Sequence, residues 1–522
     1  MKVRKKLILT AKEAIDLIND GESVATGGFV SSCCPEALTS AVEKKYLEEG
    51  YPKDLTLIFA AGQGKRNGKG NDHFAHEGMV KRAIGGHWDR GPELGSMAIE
   101  GKIEAYNLPQ GVISHLFRDI AAKKIGTLTH VGLNTFVDPR NGGGKLNSAT
   151  KEDLVKLVNI DGEERLLYKT FPIDVCLIKG TYADESGNIT MEKEIGTLDS
   201  TAMAQACKNS GGKVIVQVEK IVKNKTLDPK LVKIPGINVD ALVIGNKEES
   251  LQCLGYDYDP SLTGEIRETF NNKKEVPLNA KKVIARRAAM ELEKDVVVNL
   301  GVGVPELISS IAAEEGIEDY MTLTVEAGAV GGMPLSGAQF GASANADSIL
   351  DQNVMFDFYD GGGIDIAFLG MAQVDLLGNI NVSKFGKRLA GCGGFINITQ
   401  NAKKVIFCGT FTAGGLETEI KDGELKIINE GRKNKFVEEV EQITFSGKYA
   451  NKIKQPVKYI TERAVFELRS DGIYLTEVAP GVDLEAHILN KMEFKPKISD
   501  NLKKMDKSFF SEKLLGLSKK EF

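Results

Sequence analysis

The sequence predicts an α/β fold made of two tandem, similar open α/β domains, each a largely parallel sheet flanked by helices. Three observations predict it. The chain has 522 residues, past the ~250–300 at which a single core stops growing. Short apolar strands alternate with helically spaced stretches across Gly-rich turns, the pattern of βα units. The order of elements in the first half then returns in the second, the mark of a repeat.

The first unit of the pattern reads helix, strand, glycine turn, helix. Thr10 to Ile18 is followed by Ser23-Val24-Ala25-Thr26, then Gly27-Gly28-Phe29, then Pro35-Glu36-Ala37-Leu38. Pro35 suits a helix start, where its missing N–H does no harm. The same order resumes at Asn279. Ala280 to Glu293 carries Val283, Ile284, Ala288 and Leu292 as an apolar stripe. Val296-Val297-Val298 is a short buried strand, Gly301-Val302-Gly303-Val304 a turn, and Pro305-Glu306-Leu307 the opening of the next helix.

Further echoes keep that order. Thr127-Leu128-Thr129 matches Thr322-Leu323-Thr324. Ile173-Asp174-Val175 with Gly187-Asn188-Ile189 matches Ile364-Asp365-Ile366 with Gly378-Asn379-Ile380. Gly212 to Val216 matches Lys404 to Phe407. The polar stretch with Asp257-Tyr258-Asp259-Pro260 and Asn271-Asn272-Lys273-Lys274 interrupts the repeat. The expected domains are therefore residues 1–244 and 278–522, joined by a linker at 245–277.

Hydrophobic residues make up 42% and charged residues 27%, with a net charge of -5. This is ordinary for a globular protein and lacks the basic excess of a nucleic-acid binder. After the basic start, Leu7-Ile8-Leu9 is too short for a signal-peptide core, and no apolar run reaches the length of a membrane span. The 7 Cys are odd in number and form no C-x-x-C, so a reducing, cytoplasmic location with free thiols is expected. His73 and His76 stand three apart, but no Cys or carboxylate pattern completes a zinc site, and no metal is expected.

Chemistry is sought where the copies differ. After Thr-Leu-Thr, the first copy continues His130-Val131-Gly132 and the second Val325-Glu326-Ala327-Gly328. Only the second places a carboxylate at a strand's carboxyl end, the edge where open α/β sheets bind ligands. A Glu before Ala-Gly is more often a solvated loop residue. The neighbouring glycines favour a site, because they let backbone approach a bulky ligand.

Taken together, these residues resemble the family I CoA-transferases. Val325-Glu326-Ala327-Gly328 is similar to the family's Glu-x-Gly signature, and Asn299 to Pro305 to its Gly-x-Gly-x-Pro loop. Gly391-Cys392-Gly393-Gly394-Phe395 resembles its later glycine turn, and Asn107-Leu108-Pro109-Gln110-Gly111 its Pro-Gln-Gly segment. The likeness covers the whole chain. It is greatest to single-chain acetate and propionate CoA-transferases, through Asp138 to Gly144 and Gly391 to Gln400.

The resemblance implies a ping-pong cycle. Glu326 attacks an acyl-CoA, such as acetyl-CoA or propionyl-CoA, to give an acyl-glutamyl anhydride. CoA returns to form a glutamyl-CoA thioester, and a small carboxylic acid reverses the steps. Gln110 (side-chain amide) and Gly394 (backbone N–H) match the positions that hold the oxyanion, so the site would draw on both copies. Gly301, Gly303, Gly328, Gly391 and Gly393 would admit CoA. It further implies CoA as substrate and covalent intermediate, no tightly bound cofactor, no nucleic-acid or membrane partner, and a homo-oligomer, a tetramer in the single-chain relatives.

The residue types suit that cycle. Every nucleophile in it is already an anion, and a Glu of ordinary pKa near 4.3 is ionised at neutral pH without a general base. Displacing a thiolate of pKa ~8.5, by analogy with Cys, is then uphill by very roughly 6 kcal/mol. Remote binding of CoA and oxyanion donors can offset that cost. Ser336 and Ser343 lack a Gly-x-Ser-x-Gly elbow. Cys392 has no nearby His, Glu36 and Glu306 suit helix starts, and Trp88 reads as structural. Lys384, Lys387 and Arg388 could meet phosphates. Two rival readings stay open: an acyl-CoA hydrolase on the same fold, separated by CoA release without an acceptor, and a non-catalytic acyl-CoA-binding protein, separated by binding without turnover.

Overall fold

Strands buried on both faces of a parallel sheet read as continuous apolar runs, and Val175–Lys179 and Lys213–Val218 are such runs, almost wholly buried. The computed structural model, which describes residues 6–269 and 275–519, places them inside an eight-stranded sheet. Its strands are β1 (Leu7–Leu9), β2 (Ser23–Thr26), β3 (Leu55–Phe59), β4 (Val80–Gly85), β5 (Glu104–Asn107), β6 (Val175–Lys179), β7 (Lys213–Val218) and β8 (Ala241–Ile244). They lie in the order β1-β8-β7-β6-β2-β3-β4-β5, every pair parallel. The helices include α1 (Ala11–Ile15), α2 (Glu36–Glu49), α3 (Pro92–Ile99), α4 (Gln110–Ala121) and α5 (Ser200–Asn209). Thr10 opens α1 with a capping box: its Oγ1 accepts from Glu13 N at 3.2 Å while Glu13 Oε2 accepts from Thr10 N at 2.8 Å. Leu57, Phe59 and the buried Trp88 join one core. Trp88 is structural as expected, its Nε1 donating to Gly85 O at 3.1 Å.

The second sheet includes β9 (Val296–Leu300), β10 (Met321–Thr324), β11 (Ile366–Gly370), β12 (Lys404–Cys408), β13 (Val457–Ile460), β14 (Ala464–Arg469), β15 (Gly472–Val478) and β16 (Lys497–Lys504). These run in the order β10-β9-β11-β12-β13-β14-β15-β16. The first five are parallel, and β14 is antiparallel to both its neighbours. Asn279 caps α6 (Ala280–Ala289), accepting from Lys281 N and Lys282 N, and α7 (Leu307–Glu315) follows β9. Val283, Ile284 and Ala288 of α6, with Leu292 just beyond it, are fully buried in one core.

One parallel strand order recurs in both sheets: β3-β2-β6-β7-β8 corresponds to β10-β9-β11-β12-β13. Register makes the match residue by residue. Val24 pairs with Leu57 and Val175, and Val298 pairs with Leu323 and Ile366. The counterpart of Thr322-Leu323-Thr324 is therefore in β3, and the expected echo at Thr127-Leu128-Thr129 is corrected. Gly126–Thr129 sits instead in a small antiparallel sheet with Glu163–Lys169 and Val155–Ile160. Three residues of β-prone alternation fit many strands, so the match carried no register. Counting on from Leu57 and Leu323, Ala60-Ala61-Gly62 is the counterpart of Glu326-Ala327-Gly328. The carboxylate is thus still peculiar to the second copy.

The packing units do not follow the linear division expected. One comprises Met1–Glu268, Val325–Asp357 and Lys384–Asn397; the other comprises Thr269–Thr324, Phe358–Ser383 and Ile398–Phe522. Much of the expected linker at 245–277 is built into the first unit. Cys253 and Leu262 are buried in it, Leu251 O accepts from the buried Lys179 Nζ at 2.8 Å, and Gln252 Nε2 donates to Lys193 O at 2.8 Å. Asn271 to Lys274 lie outside the described residues. Polarity marked this stretch as a linker, whereas its few apolar side chains and amide bonds dock it.

His73, in the short helical turn Gly70–Phe74, ties that turn to α2 in the first unit. Its Nδ1 lies 2.6 Å from Glu43 Oε2 and its Nε2 3.1 Å from Glu36 Oε1, both carboxylates of α2. Burial pulls the imidazolium down, but Glu36 and Glu43 outweigh it and raise its pKa. A raised folded pKa gives stability that is full below the unfolded value and is lost as pH rises through the folded one. His73→Phe is therefore expected to cost about 1–3 kcal/mol at pH 6 and distinctly less at pH 9. Urea unfolding at both pH values checks this, and an equal loss at the two would contradict it.

Candidate active site

Glu326 stands in a tight turn. Val325 N donates to Ala329 O and Gly328 N to Val325 O, each at 2.9 Å. Val325, Ala327 and Ala329 are anchored in an apolar cluster with Phe29, Val30, Ala61, Ile195 and Leu198. Ala329–Val330 pairs antiparallel with Ser348–Ile349, and Leu350 N donates to Gly328 O at 2.9 Å. Gly328 has φ +118°, and a Cβ there would lie 1.9 Å from Leu350 O. Only glycine fits, so the turn is held by backbone geometry that the sequence states in one residue.

The residue is half-buried, yet its Oε2 is shut off from solvent and has no hydrogen-bonding partner among the described residues. Burial pushes its carboxyl pKa up to about 7, opposed only by its own backbone N–H. The expectation of an ordinary, fully ionised Glu is corrected here. Sequence reveals the group but not its desolvation.

Gly394 lies against it. A Cβ on Gly394 would fall 3.1 Å from Glu326 Cγ and 3.4 Å from Glu326 Oε1. Among the described residues the Gly394 N–H enters no hydrogen bond. The turn before it is pinned to the ends of β4 and β5. Gly393 N donates to Gly86 O at 2.9 Å, and Cys392 N donates to Asn107 Oδ1 at 2.9 Å. A Cβ on Gly391 would lie 2.7 Å from Gly86 O, so close backbone packing alone requires this glycine. The Cys392 thiol is raised well out of the neutral range by burial, in keeping with a packing role.

Gln110 opens α4 and is buried, its N donating to Gly393 O at 2.9 Å. Its Nε2 donates to Gln352 Oε1 at 3.3 Å. Gln352 is the first residue of α8 (Gln352–Asp360), and its Nε2 donates to Asp199 Oδ2 at 2.7 Å. Asp199 also accepts from Ser114 Oγ. Neither Gln352 nor Asp199 was legible as a site residue, because nothing local in sequence marks a contact across 153 positions.

One unit thus assembles Gln110 from the first half with Glu326, Gly328, Gly391, Gly393 and Gly394 from the second. Gly301 and Gly303 belong to the other unit, after β9. Gly301 N donates to Phe368 O at 2.8 Å, and Gly303, at φ +97°, has open space where a Cβ would stand. Arg388, considered for phosphates, is paired with Asp89 Oδ2 at 2.9 Å. A desolvated carboxylate beside an uncommitted N–H can attack an activated carbonyl and have the resulting oxyanion held.

The coenzyme A transferase family model matches residues 8–245. The chain is 48% identical over 515 residues to the caffeate CoA-transferase of Acetobacterium woodii, covering 98% of each. It is 45% identical to the acetate CoA-transferase YdiF of Escherichia coli (strain K12), covering 98% of this chain and 96% of that one. This chain belongs to the coenzyme A transferase family. As a family member this transferase takes coenzyme A as a substrate. Its fold matches the crystal structure of the YdiF acyl-CoA transferase from E. coli O157:H7 in its thioester complex with CoA, at TM-score 0.93 and 44% identity over 98% of both chains. Among the described residues of the transferase, no helix is long and apolar enough to cross a membrane.

Proposed function

We propose that this transferase moves CoA between a short-chain acyl-CoA and a carboxylate acceptor through a thioester on Glu326. The observation that carries this reading is the Glu326 carboxylate itself, desolvated, with Oε2 unpartnered among the described residues and Gly394 against it. Glu326 attacks the thioester carbonyl and expels CoA thiolate, leaving an acyl-glutamyl anhydride. The thiolate then attacks the glutamyl carbonyl and releases the acyl carboxylate. The acceptor runs both steps backwards. Gln110 Nε2 and Gly394 N–H stabilise the tetrahedral oxyanions, and Gly393 leaves room for CoA.

The raised pKa helps this cycle. Against a CoA thiol near 8.5, an ordinary Glu gives a gap of about 4 units, but a carboxyl at about 7 narrows it to roughly 1.5, or ~2 kcal/mol instead of ~6. The cost is that about half the carboxyl is protonated at pH 7. The kcat/KM for acyl-CoA is therefore expected to rise with pH through about 7 and to level off above it. A flat profile between pH 5 and 9 would contradict this.

The likeness to an acetate CoA-transferase supports acetyl-CoA as a donor. The 48% identity to a caffeate CoA-transferase favours a second reading, in which a bulky aromatic acid is the acceptor. Incubation with acetyl-CoA and no acceptor, followed by peptide mass analysis, tests the route: a CoA adduct on the Glu326 peptide is expected. Comparing kcat/KM for acetate, propionate and caffeate then decides between the two acceptor classes. The seven cysteines are all free, which supports the reducing cytoplasm as its place. A homo-oligomer, a tetramer by resemblance, is proposed and is read by light scattering.

A further inference from the structure

An Asp that immediately precedes a helix normally accepts from the first free N–H groups of that helix. Asp199 precedes α5 but makes no such cap bond. Its carboxylate is buried and turned instead to two side-chain donors, Ser114 Oγ at Oδ1 and Gln352 Nε2 at Oδ2, the latter at 2.7 Å. Burial pushes the Asp199 carboxyl up to about 7; above that pH it is a carboxylate with no hydrogen to give, so it fixes the flip of the Gln352 amide: Nε2 towards Asp199 and Oε1 away from it. That Oε1 is the acceptor of Gln110 Nε2 at 3.3 Å. An acceptor there in turn fixes the flip of the Gln110 amide, so that its nitrogen and not its oxygen stands at this end. Gln110 is held at its backbone as well, by the bond to Gly393 O at 2.9 Å, next to the glycine that touches Glu326.

We infer that Asp199, acting through Gln352, is a positioning residue that sets which end of the Gln110 amide faces the reacting carbonyl. This rests on the proposed role of Gln110 as an oxyanion donor. The flip decides whether the amide offers an oxyanion a hydrogen of Nε2 or the repelling Oε1, at an unchanged shape. The mechanism has no proton transfer for Asp199, and none is assigned to it.

The test is a double-mutant cycle on the full chain with Asp199→Asn and Gln110→Ala. The readout is kcat and KM at pH ~8.5, where the Asp199 carboxyl is ionised, with acetyl-CoA and propionate, or with caffeate if caffeate is the faster acceptor. The Asp199→Asn change keeps the size of the side chain, but the new amide can offer its hydrogens to Gln352 Oε1, freeing the flip. Asp199→Asn alone is expected to lower kcat about tenfold with KM within about twofold. In the Gln110→Ala background it is expected to change kcat by less than about twofold, since the group it positions is gone. An equal loss in both backgrounds would mark a merely structural role and overturn the inference, as would full activity of Asp199→Asn beside an impaired Gln110→Ala. Full activity of Gln110→Ala would instead overturn the oxyanion reading on which this one rests. Should Asp199→Asn fail to fold, Gln352→Leu, which leaves the Ser114–Asp199 bond intact, takes its place in the same cycle with the same expected and contrary results.

Discussion

Glu326→Gln is expected to abolish CoA transfer and, at the same time, to make the protein more stable above pH 7. The first half follows from chemistry. The amide is nearly isosteric but has no nucleophilic anion, so covalent catalysis is lost and kcat is expected to fall at least about 10⁴-fold. No CoA adduct should appear on the peptide by mass analysis. The second half follows from burial. The carboxyl titrates at about 7 in the fold against 4.5 unperturbed. A carboxyl raised in the folded state binds its proton more tightly there than in the unfolded chain. The penalty is therefore absent below about 4.5, grows as pH rises to about 7 and is complete above it. Removing it should be worth about 1–3 kcal/mol at pH 8 and nothing near pH 4.5. Urea unfolding of both proteins at the two pH values measures it. An unchanged or lower stability at pH 8 would show that Glu326 is solvated and not held out of water.

Gly328→Ala is expected to damage both fold and reaction. At φ +118° an L-residue is strained, and the added Cβ would stand 1.9 Å from Leu350 O, a backbone atom that cannot step aside without moving the Ser348–Ile349 strand. The strain alone costs about 1–3 kcal/mol, and relieving it shifts the turn that carries Glu326. A displacement of about 1 Å at a nucleophile can cost about 100-fold in rate. Thermal unfolding should show the lower midpoint, and single-turnover thioester formation the slower attack. A Cβ on Gly62, the register counterpart in the first sheet, would lie 2.6 Å from His87 Nδ1. Its replacement should lower stability as well. Wild-type stability of Gly328→Ala would mean that the turn can relax around a side chain.

The parallel strands, the helix starts at Thr10 and Asn279 and the repeated strand–turn–helix order were legible because each is encoded locally. Apolar runs give β2, β6, β7, β9, β11 and β12, and the capping residues sit where the helices begin. Glu326 was legible too, as a carboxylate after a strand among glycines. The echo at Thr127 misled because pairing partners, not three-residue resemblance, define a strand's place. Ala60 emerged as the counterpart of Glu326 only from the register of Val24 and Val298. The segments 325–357 and 384–397 pack away from their neighbours in sequence, a result that no composition shift announces.

The sequence by itself determined the duplicated α/β pattern, the family and the one carboxylate that stands at a strand's end in the second copy alone. These are properties of residue type and order. The tertiary structure alone decided that this carboxylate is desolvated, that Gly394 lies against it, and that Gln110 is tied through Gln352 to a buried Asp199. Charge state and amide orientation depend on what surrounds a group after distant segments have closed on it, and a pKa near 7 for a glutamate is written only in that packing.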